Sequence, residues 1–251
     1  MATIFVGAFY AIIFLVYQFG SVTDRPDMRE SARVDNIFSN GMQMFGFFGG
    51  ILIVIVASSL IGSEFGWNTL RPLVARAASR SSLLSAKWIV VALYTIVLVI
   101  AGVIASLILA AIASLLMDVD IALPSALWDD YALGTLRWIM ASLPYAVIAF
   151  AVALLTRSNA AGIAIGIGIS FVEPLIFQLL MLVSDTFERV QEYGIAWNVQ
   201  RLVTLPTMEG AFNDPVAASQ VWQSTGILAV YVAIFVVATY IVFNRRDITS
   251  G

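Results

Sequence analysis

Long apolar stretches separated by short polar connectors dominate the sequence from one end to the other. Six of these stretches meet or approach the about 20 apolar residues that a helix needs to cross a bilayer. A helix is the expected form, because it satisfies every backbone polar group internally where no water is available. The predicted spans are 2–19, 42–62, 88–117, 138–155, 160–183 and 225–243. The pattern predicts an all-α integral membrane protein with one transmembrane domain over residues 1–251.

Composition strengthens this prediction and narrows the chemistry. Hydrophobic residues make up 61% of the 251 residues and charged residues 12%, against about 45–50% and about 25% in a soluble protein. The chain has no cysteine and no histidine, which excludes disulfides, thiolate nucleophiles, imidazole bases and the common zinc and haem ligands. The first apolar run is interpreted as a retained span and not as a signal peptide, because no lysine or arginine precedes it.

Basic residues are distributed unevenly between the connectors, and this asymmetry predicts the orientation. Six spans place both termini and the connectors after spans 2 and 4 on one side. The basic residues on that side are Arg71, Arg76, Arg80, Lys87, Arg157, Arg245 and Arg246. The longer opposite connectors hold Arg25, Arg29, Arg33, Arg137, Arg189 and Arg201, together with most of the acidic residues. Since cytoplasmic loops are richer in basic residues, we expect a multi-pass plasma-membrane protein with both termini in the cytoplasm.

Two longer connectors fall on the predicted outer side. Residues 21–41 are polar and predict an exofacial loop. Residues 184–224 contain scattered aromatic residues such as Tyr193 and Trp197, with Pro206 as a helix breaker. This second segment predicts short helices that lie on the outer membrane face between spans 5 and 6.

The connector between spans 2 and 3, residues 63–87, carries the most informative local pattern. One apolar helix face is predicted at the spacing i, i+3, i+4, i+7 by Leu70, Leu73, Val74 and Ala77. Pro72 is tolerated only in a first turn, so this helix should begin near residues 68–71. Ser79 or Ser81 would then cap the helix that runs into span 3. On periodicity alone, the segment would be an interfacial helix whose arginines meet anionic lipid headgroups.

The same connector resembles the cytoplasmic connector of type-2 ABC export permeases. The resemblance is carried by a glutamate after span 2, a Thr-Leu-Arg triplet, a Ser-Arg pair, paired leucines and a lysine that opens span 3. The matching residues are Glu64, Thr69, Leu70, Arg71, Ser79, Arg80, Leu83, Leu84 and Lys87. In that family such residues lie in or beside the coupling helix that docks on the ATP-binding subunit. On this resemblance, Leu73, Val74 and Arg76 complete the docking surface.

The resemblance implies a transport subunit and not an enzyme. Two copies, or this chain and a similar one, would form the translocation path and assemble with two ATPase subunits, which hold the ATP and Mg²⁺. This chain has no phosphate-binding G-x-x-x-x-G-K-[ST] loop and only one lysine, Lys87, so it does not supply a standard ATP site. Membrane lipid is the other expected partner, and neither nucleic acid nor a resident metal is expected.

Spans 2 and 5 carry small residues at four-residue spacing. They are Gly46, Gly50, Ser58 and Gly62 in span 2, and Gly162, Gly166 and Ser170 in span 5. Small residues let helix backbones approach closely in lipid, where packing holds the spans together. Two interpretations stay open. The stripes pack within one subunit or, as in the resembling family, they form a homodimer interface that flanks the translocation path.

Glu173 is the one acidic residue placed inside a predicted span, and Pro174 follows it. An ionised carboxylate near the bilayer centre costs about 2.5–3.5 kcal/mol, so the side chain should be neutral, paired or facing water. Either it binds a cation or proton, or it caps a helix broken at Pro174 at the mouth of a re-entrant turn.

Two rival functions stay open beside the exporter. One is a gradient-driven secondary transporter with Glu173 as its ion site, and the other is a non-transporting membrane assembly subunit.

Overall fold

The structure, a computed structural model of the chain, describes residues 2–19, 25–38, 40–77, 79–119, 121, 127–184, 186–204 and 215–245. Every regular element in this part of the chain is a helix. The α-helices are α1 (Ala2–Phe19), α2 (Arg25–Ala32), α3 (Gly41–Gly66), α4 (Leu70–Arg76), α5 (Arg80–Leu116), α6 (Leu127–Thr156), α7 (Asn159–Met181), α8 (Thr186–Gln191), α9 (Ile195–Thr204) and α10 (Pro215–Arg245), with a 3₁₀ turn at Val34–Asn36. The predicted all-α class is confirmed for these residues.

Five of the described helices are long and apolar enough to cross a membrane. They are the segments Gly41–Gly66, Arg80–Leu116, Tyr131–Thr156, Asn159–Met181 and Ser219–Arg245, which belong to α3, α5, α6, α7 and α10. The first helix is also apolar but shorter, at Thr3–Phe19. This architecture is consistent with a multi-pass α-helical membrane protein.

Three of the long helices begin well before the apolar stretch that predicted them. The observed starts are Arg80 in α5, Leu127 in α6 and Pro215 in α10, against predicted starts at 88, 138 and 225. The start of α5 agrees with the cap predicted at Ser79 or Ser81, whereas α6 and α10 begin ahead of the predicted spans because hydropathy marks only the lipid-compatible part of a helix. With 37 residues, α5 is about 55 Å long, well beyond the about 30 Å of the hydrocarbon layer.

The core is built around α6, the most deeply buried of the five candidate spans. All residues from 146 to 151 are buried, and Phe150 is fully enclosed. Several of these residues are alanines, so neighbouring helices can approach the backbone of α6 closely. From α3, the fully buried side chains of Ile53 and Ile61 join the same core. In contrast, few residues of α7 and α10 are fully buried.

The end of the bundle that carries α4 also holds two other chain segments. The Ser85 hydroxyl, near the start of α5, lies 2.6 Å from the Tyr240 hydroxyl near the end of α10. Arg157, in the turn between α6 and α7, lies over the ring of Phe65 at the end of α3, 6.0 Å from the ring centroid. We call the end of the bundle that carries α4 the connector end, and the opposite end the distal end. The α6–α7 turn and the end of α10 therefore share the connector end with α4.

The distal end is covered by helices, including α2, which follows α1 in the chain. Residues 21–41 were predicted to form a polar loop, but much of the segment is helical in α2 and the 3₁₀ turn. The Ser114 hydroxyl donates to the Ala32 carbonyl at 2.9 Å, and the Tyr131 hydroxyl donates to the Val34 carbonyl at 2.5 Å. The loop prediction was wrong because these contacts with α5 and α6 stabilise a helix that the polar sequence does not reveal.

Two short helices, α8 and α9, lie between α7 and α10, as predicted. The Leu-Pro pair at 205–206 and Arg246 lie outside the described residues. The helix α7 runs without a break through Pro174, so the interpretation of a helix broken at Pro174 was wrong. Proline is tolerated inside membrane helices because neighbouring groups can satisfy the freed backbone carbonyl.

Candidate functional site

The connector helix α4 lies where the apolar spacing predicted it. It spans Leu70–Arg76, with Thr69 before it and Ala77, in extended conformation, after it. Thr69 is exposed, and its side chain makes no capping hydrogen bond. Pro72 lies in the first turn, where its missing N–H has no intrahelical partner to lose. The connector therefore contains a defined helix and not a flexible loop.

The predicted apolar face of α4 is divided between the bundle and the surface. Leu70 is 2% exposed and belongs to the main core, whereas Leu73 is 38% exposed. Val74 is half-buried and packs against the core. The side chains of Arg71 and Arg76 lie outside the described part of the chain. Leu70 thus anchors α4 to the bundle, and Leu73 presents an apolar group at the surface.

An ion pair joins the two helices that flank α4. Lys87 Nζ on α5 lies 2.6 Å from Glu64 Oε1 near the end of α3, and it also donates to the Leu60 carbonyl at 2.9 Å. The Lys87 and Glu64 side chains are only 11% and 19% exposed, so salt in the solvent screens the pair weakly. The pair fixes the distance between the end of α3 and the start of α5.

Ser79 caps the start of α5, as predicted. Its backbone is extended, and its hydroxyl accepts a hydrogen bond from the Ser82 N–H at 3.0 Å. Arg80 follows as the first, half-buried residue of the helix. Two rigid helices, α4 and the start of α5, therefore meet through a short extended link that includes Ala77 and Ser79.

The small residues predicted in spans 2 and 5 meet inside one chain, along a seam between α3 and α7. The Ser58 hydroxyl lies 2.8 Å from both the carbonyl and the Oδ1 atom of Asn159, at the start of α7. A Cβ added to Gly62 would lie 2.6 Å from the Asn159 Cα. A Cβ on Gly162 would collide with the Ser58 hydroxyl and would lie 2.6 Å from the Ala149 carbonyl. Glycine is needed here because the helix backbones are too close for a side chain.

Gly166 and Gly46 continue this close packing. A Cβ at Gly166 would lie 2.6 Å from a methyl group of Val54 on α3, and a Cβ at Gly46 would collide with the Trp138 ring on α6. Gly166 is buried, as are the serine and the glycines of the seam. Packing within one subunit, the first of the two interpretations, therefore explains the buried members of this set.

A cavity of about 230 Å³ opens beside the seam, between α3, α6, α7 and α9. Its wall includes three of the predicted path residues, Gly46, Gly50 and Ser170. A Cβ added to Gly50 would meet no atom within 4 Å, so this glycine borders open space and not a neighbouring helix. The Ser170 hydroxyl donates to the Gly166 carbonyl at 3.1 Å, within its own helix. The small residues Gly50 and Ser170, from α3 and α7, thus border the same cavity.

Glu173 lies toward the distal end of α7 and holds α9 in place. Its Oε1 accepts a hydrogen bond from the Ala196 N–H, at 3.1 Å, in the first turn of α9. A carboxylate at this position satisfies a free backbone N–H and interacts favourably with the helix dipole. Gly194 precedes α9, and a Cβ there would collide with the same carboxylate oxygen. Glu173 therefore caps a helix, as one interpretation proposed, but that helix is α9 and not one broken at Pro174.

Several residues that position α9 were not identified from the sequence. The Tyr231 hydroxyl on α10 donates to the Tyr193 carbonyl at 3.1 Å. The buried Asn198 side chain donates to the Glu192 and Gly194 carbonyls at 2.8 and 2.7 Å. Gly194 before the amphipathic helix α9 was the available sequence signal for a close contact, but no local pattern links Gly194 to partners on α7 and α10.

The structure does not bring all the predicted site residues together. The described coupling residues, from Glu64 to Arg80, gather at the connector end, whereas Glu173 lies at the distal end and the cavity lies in between. Within the described ranges, no group of three or more His, Cys, Asp or Glu side chains is placed to hold a metal. The arrangement offers a mechanical connection at one end and a space for a ligand along the same helices.

A family model described as "Protein of unknown function (DUF2705)" matches residues 4–249, nearly the whole chain. No curated protein matches the sequence. The family description states no activity, so a function has to be argued from the geometry of the connector and the cavity.

Proposed function

The chain belongs to the DUF2705 family, and from its connector geometry we propose that it is the membrane permease subunit of a type-2 ABC exporter. Two copies, or this chain and a similar one, assemble with two ATPase subunits that carry the ATP and Mg²⁺. All six apolar helices cross the plasma membrane, with both termini in the cytoplasm. ATP hydrolysis takes place on the partner chains, and this chain provides the path.

The mounting of α4 is the observation that carries the proposal. This short helix lies in the chain between two long helices, is anchored in the core by Leu70, and is flanked by helices that the Glu64–Lys87 ion pair joins. A force applied at the exposed Leu73 would therefore move α3 and α5 together. A flexible loop would absorb the same force without moving the helices, so a rigid mounting suits a coupling element.

The charge at the connector end supports its placement in the cytoplasm. Among the described residues, the basic side chains at this end outnumber the acidic ones, since Arg80, Lys87, Arg157 and Arg245 are there with Glu64. Cytoplasmic loops of membrane proteins show this excess of basic residues. The connector, the α6–α7 turn and the end of α10 share the end that an ATPase subunit would contact.

Movement of α4 would reach the cavity through α3. This helix ends at the connector and contributes Gly50 to the cavity wall. The Ser58–Asn159 contact joins α3 to α7, which contributes Ser170 to the same wall and holds α9 through Glu173. Closure of the ATPase subunits would tilt α3 and α7 as one unit and change the cavity and the distal end together.

The Leu73→Asp variant tests the docking surface. The chain is purified with the ATPase subunit that copurifies with it, reconstituted in lipid nanodiscs, and assayed for association and ATP hydrolysis. We expect the affinity for the ATPase subunit to fall roughly tenfold or more, because burying an unpaired carboxylate in an apolar interface is costly. Ser81→Asp, at an exposed position on α5, is the matched control and should associate normally. Normal association and ATP turnover in a folded Leu73→Asp variant would contradict the proposal.

The same preparation distinguishes the two rival functions. A gradient-driven transporter would move cargo in proteoliposomes that contain no ATPase subunit. A non-transporting assembly subunit would show no stimulation of ATP hydrolysis by any cargo. The proposed permease requires the ATPase for transport and responds to cargo.

A further inference from the structure

The cavity described above lies inside a single chain, in the half of the bundle next to α9. Its walls come from α3, α6 and α7, and α9 contributes to its distal side. The volume of about 230 Å³ lies below the roughly 300–1,000 Å³ of pockets for drug-sized molecules. A small molecule, or the leading part of a larger one, would fill it.

The cavity wall is apolar and aromatic, with a few neutral polar groups. Its aromatic rings belong to Phe47, Trp138, Tyr145 and Phe171, and its amides to Gln43 and Gln200. None of the described lining residues carries a charge. A charged ligand would lose its hydration without gaining a counter-charge, which is strongly unfavourable. The wall therefore selects for an uncharged ligand.

Two features of the wall favour a flat ring system with a hydrogen-bond acceptor. Phe47 of α3 and Phe171 of α7 meet edge to face with ring centroids 5.0 Å apart, an arrangement that also accommodates further aromatic rings. The second feature is the pair of glutamine amides in the wall, Gln43 and Gln200. Their N–H groups can donate to an oxygen or nitrogen of a ligand.

We propose that this cavity binds an uncharged amphipathic molecule with a flat apolar body and at least one hydrogen-bond acceptor. The apolar body packs among the aromatic rings, and the acceptor receives a hydrogen bond from the Gln43 or Gln200 amide. The inference rests on the proposed function for the role of this molecule as exported cargo. Binding itself requires only this chain.

Gly50 allows the cavity to be filled without disturbing the helix packing. A Cβ at this position meets no atom within 4 Å, so a leucine would occupy the cavity and not a helix interface. Gly226 on α10 is the matched control, because a Cβ there also meets no atom within 4 Å and the residue is exposed outside the cavity wall. Gly50→Ala provides a smaller step in the same direction.

Benzophenone is the probe, because it carries two rings and one carbonyl acceptor without a charge. On irradiation its ketone oxygen takes a hydrogen atom from a nearby C–H group, and the two carbons join to give a tertiary alcohol with no atom lost. The full chain is labelled in lipid nanodiscs without an ATPase subunit, and the modified peptides are mapped by mass spectrometry. The anion 4-benzoylbenzoate serves as the charged counterpart of the probe.

We expect saturable labelling of peptides from 138–145 and 199–204 in the unmodified chain. The Gly50→Leu variant should lose this labelling roughly tenfold or more, Gly50→Ala should lose part of it, and Gly226→Leu should keep it. The anion should label neither peptide. Labelling that does not saturate, that survives in Gly50→Leu, or that is equally strong with the anion would overturn the proposal.

The outcome is separable from that of the proposed function. If benzophenone labelling fails but Leu73→Asp weakens association with the ATPase subunit as expected, the permease assignment stands and only the cargo class is removed. Saturable labelling together with normal coupling in Leu73→Asp would establish the ligand site and remove the exporter assignment.

Discussion

Lys87 Nζ lies 2.6 Å from Glu64 Oε1, and this contact joins α5 to α3 where the chain leaves one long helix and enters the next. Lys87 is the single lysine of the chain. Because both side chains are largely buried, the pair acts as a brace between the two helices that flank α4. The rigid mounting of the connector depends on this brace.

Removal of one partner of the brace should destabilise the protein more than removal of both. The Lys87→Met variant leaves the Glu64 carboxylate without its counter-charge, which should lower the free energy of unfolding by about 1–3 kcal/mol. The double variant Glu64→Gln/Lys87→Met should recover much of this loss, since no buried charge remains. Thermal unfolding followed by tryptophan fluorescence compares the unmodified chain, the single variants Lys87→Met and Glu64→Gln, and the double variant. Additive effects of the two substitutions would contradict the brace.

A leucine should destabilise the protein in the seam between α3 and α7 and be tolerated on the outer face of α7. Gly162→Leu forces a side chain against Ser58 and Ala149, and overpacking of this kind costs about 1–3 kcal/mol or more. A Cβ at Gly168, on the same helix, meets no atom within 4 Å, so Gly168→Leu should leave the Tm unchanged. The yield of monodisperse protein and the Tm compare the two variants. Equal tolerance would show that the helices are not in close contact here.

Gly194→Ala should release the start of α9 from α7. The added methyl group would occupy the position of the Glu173 carboxylate oxygen that accepts from the Ala196 N–H. Hydrogen exchange of the α9 amides should therefore become roughly fivefold faster, as the loss of an N-cap worth about 1 kcal/mol predicts. Gly226→Ala, where a Cβ is unopposed, is the control. Unchanged exchange in α9 would rule out the carboxylate as its cap.

Glu173→Gln separates the proposed exporter from a gradient-driven transporter. The glutamine keeps an oxygen that can accept from the Ala196 N–H, although the neutral hydrogen bond is weaker than the charged one. ATP-dependent transport should therefore persist, with a loss of about threefold or less. Complete loss of transport with normal folding would instead identify Glu173 as an essential ion or proton site.

The parts of the fold that follow from short-range pattern were predictable. The spacing of Leu70, Leu73 and Val74 predicted α4, Pro72 predicted its start near residues 68–71, and Ser79 was one of two predicted caps for α5. The apolar stretches located every long helix, because helices in lipid must be apolar over their spanning part. The starts of α6 and α10 were missed because these helices extend beyond that part through polar turns.

The contacts between distant segments were not predictable from one sequence. Glu173 was recognised as unusual, but its partner lies on a helix that follows a turn of unknown geometry. The interpretation of Pro174 as a break failed because a neighbouring element can satisfy a freed carbonyl. The small residues predicted close packing correctly, but only the structure distinguishes Ser58, Gly162 and Gly166, which pack against other helices, from Gly50, which borders a cavity.

The direct test of the central claim is the reactivity of a thiol on α4. The chain contains no cysteine, so Leu73→Cys creates a single thiol at an exposed position. A membrane-impermeant maleimide should fail to label it in intact cells, label it in inverted membrane vesicles, and fail again when the ATPase subunit is bound to those vesicles. Labelling in intact cells, or labelling of vesicles that the bound ATPase does not reduce, would contradict a cytoplasmic coupling helix.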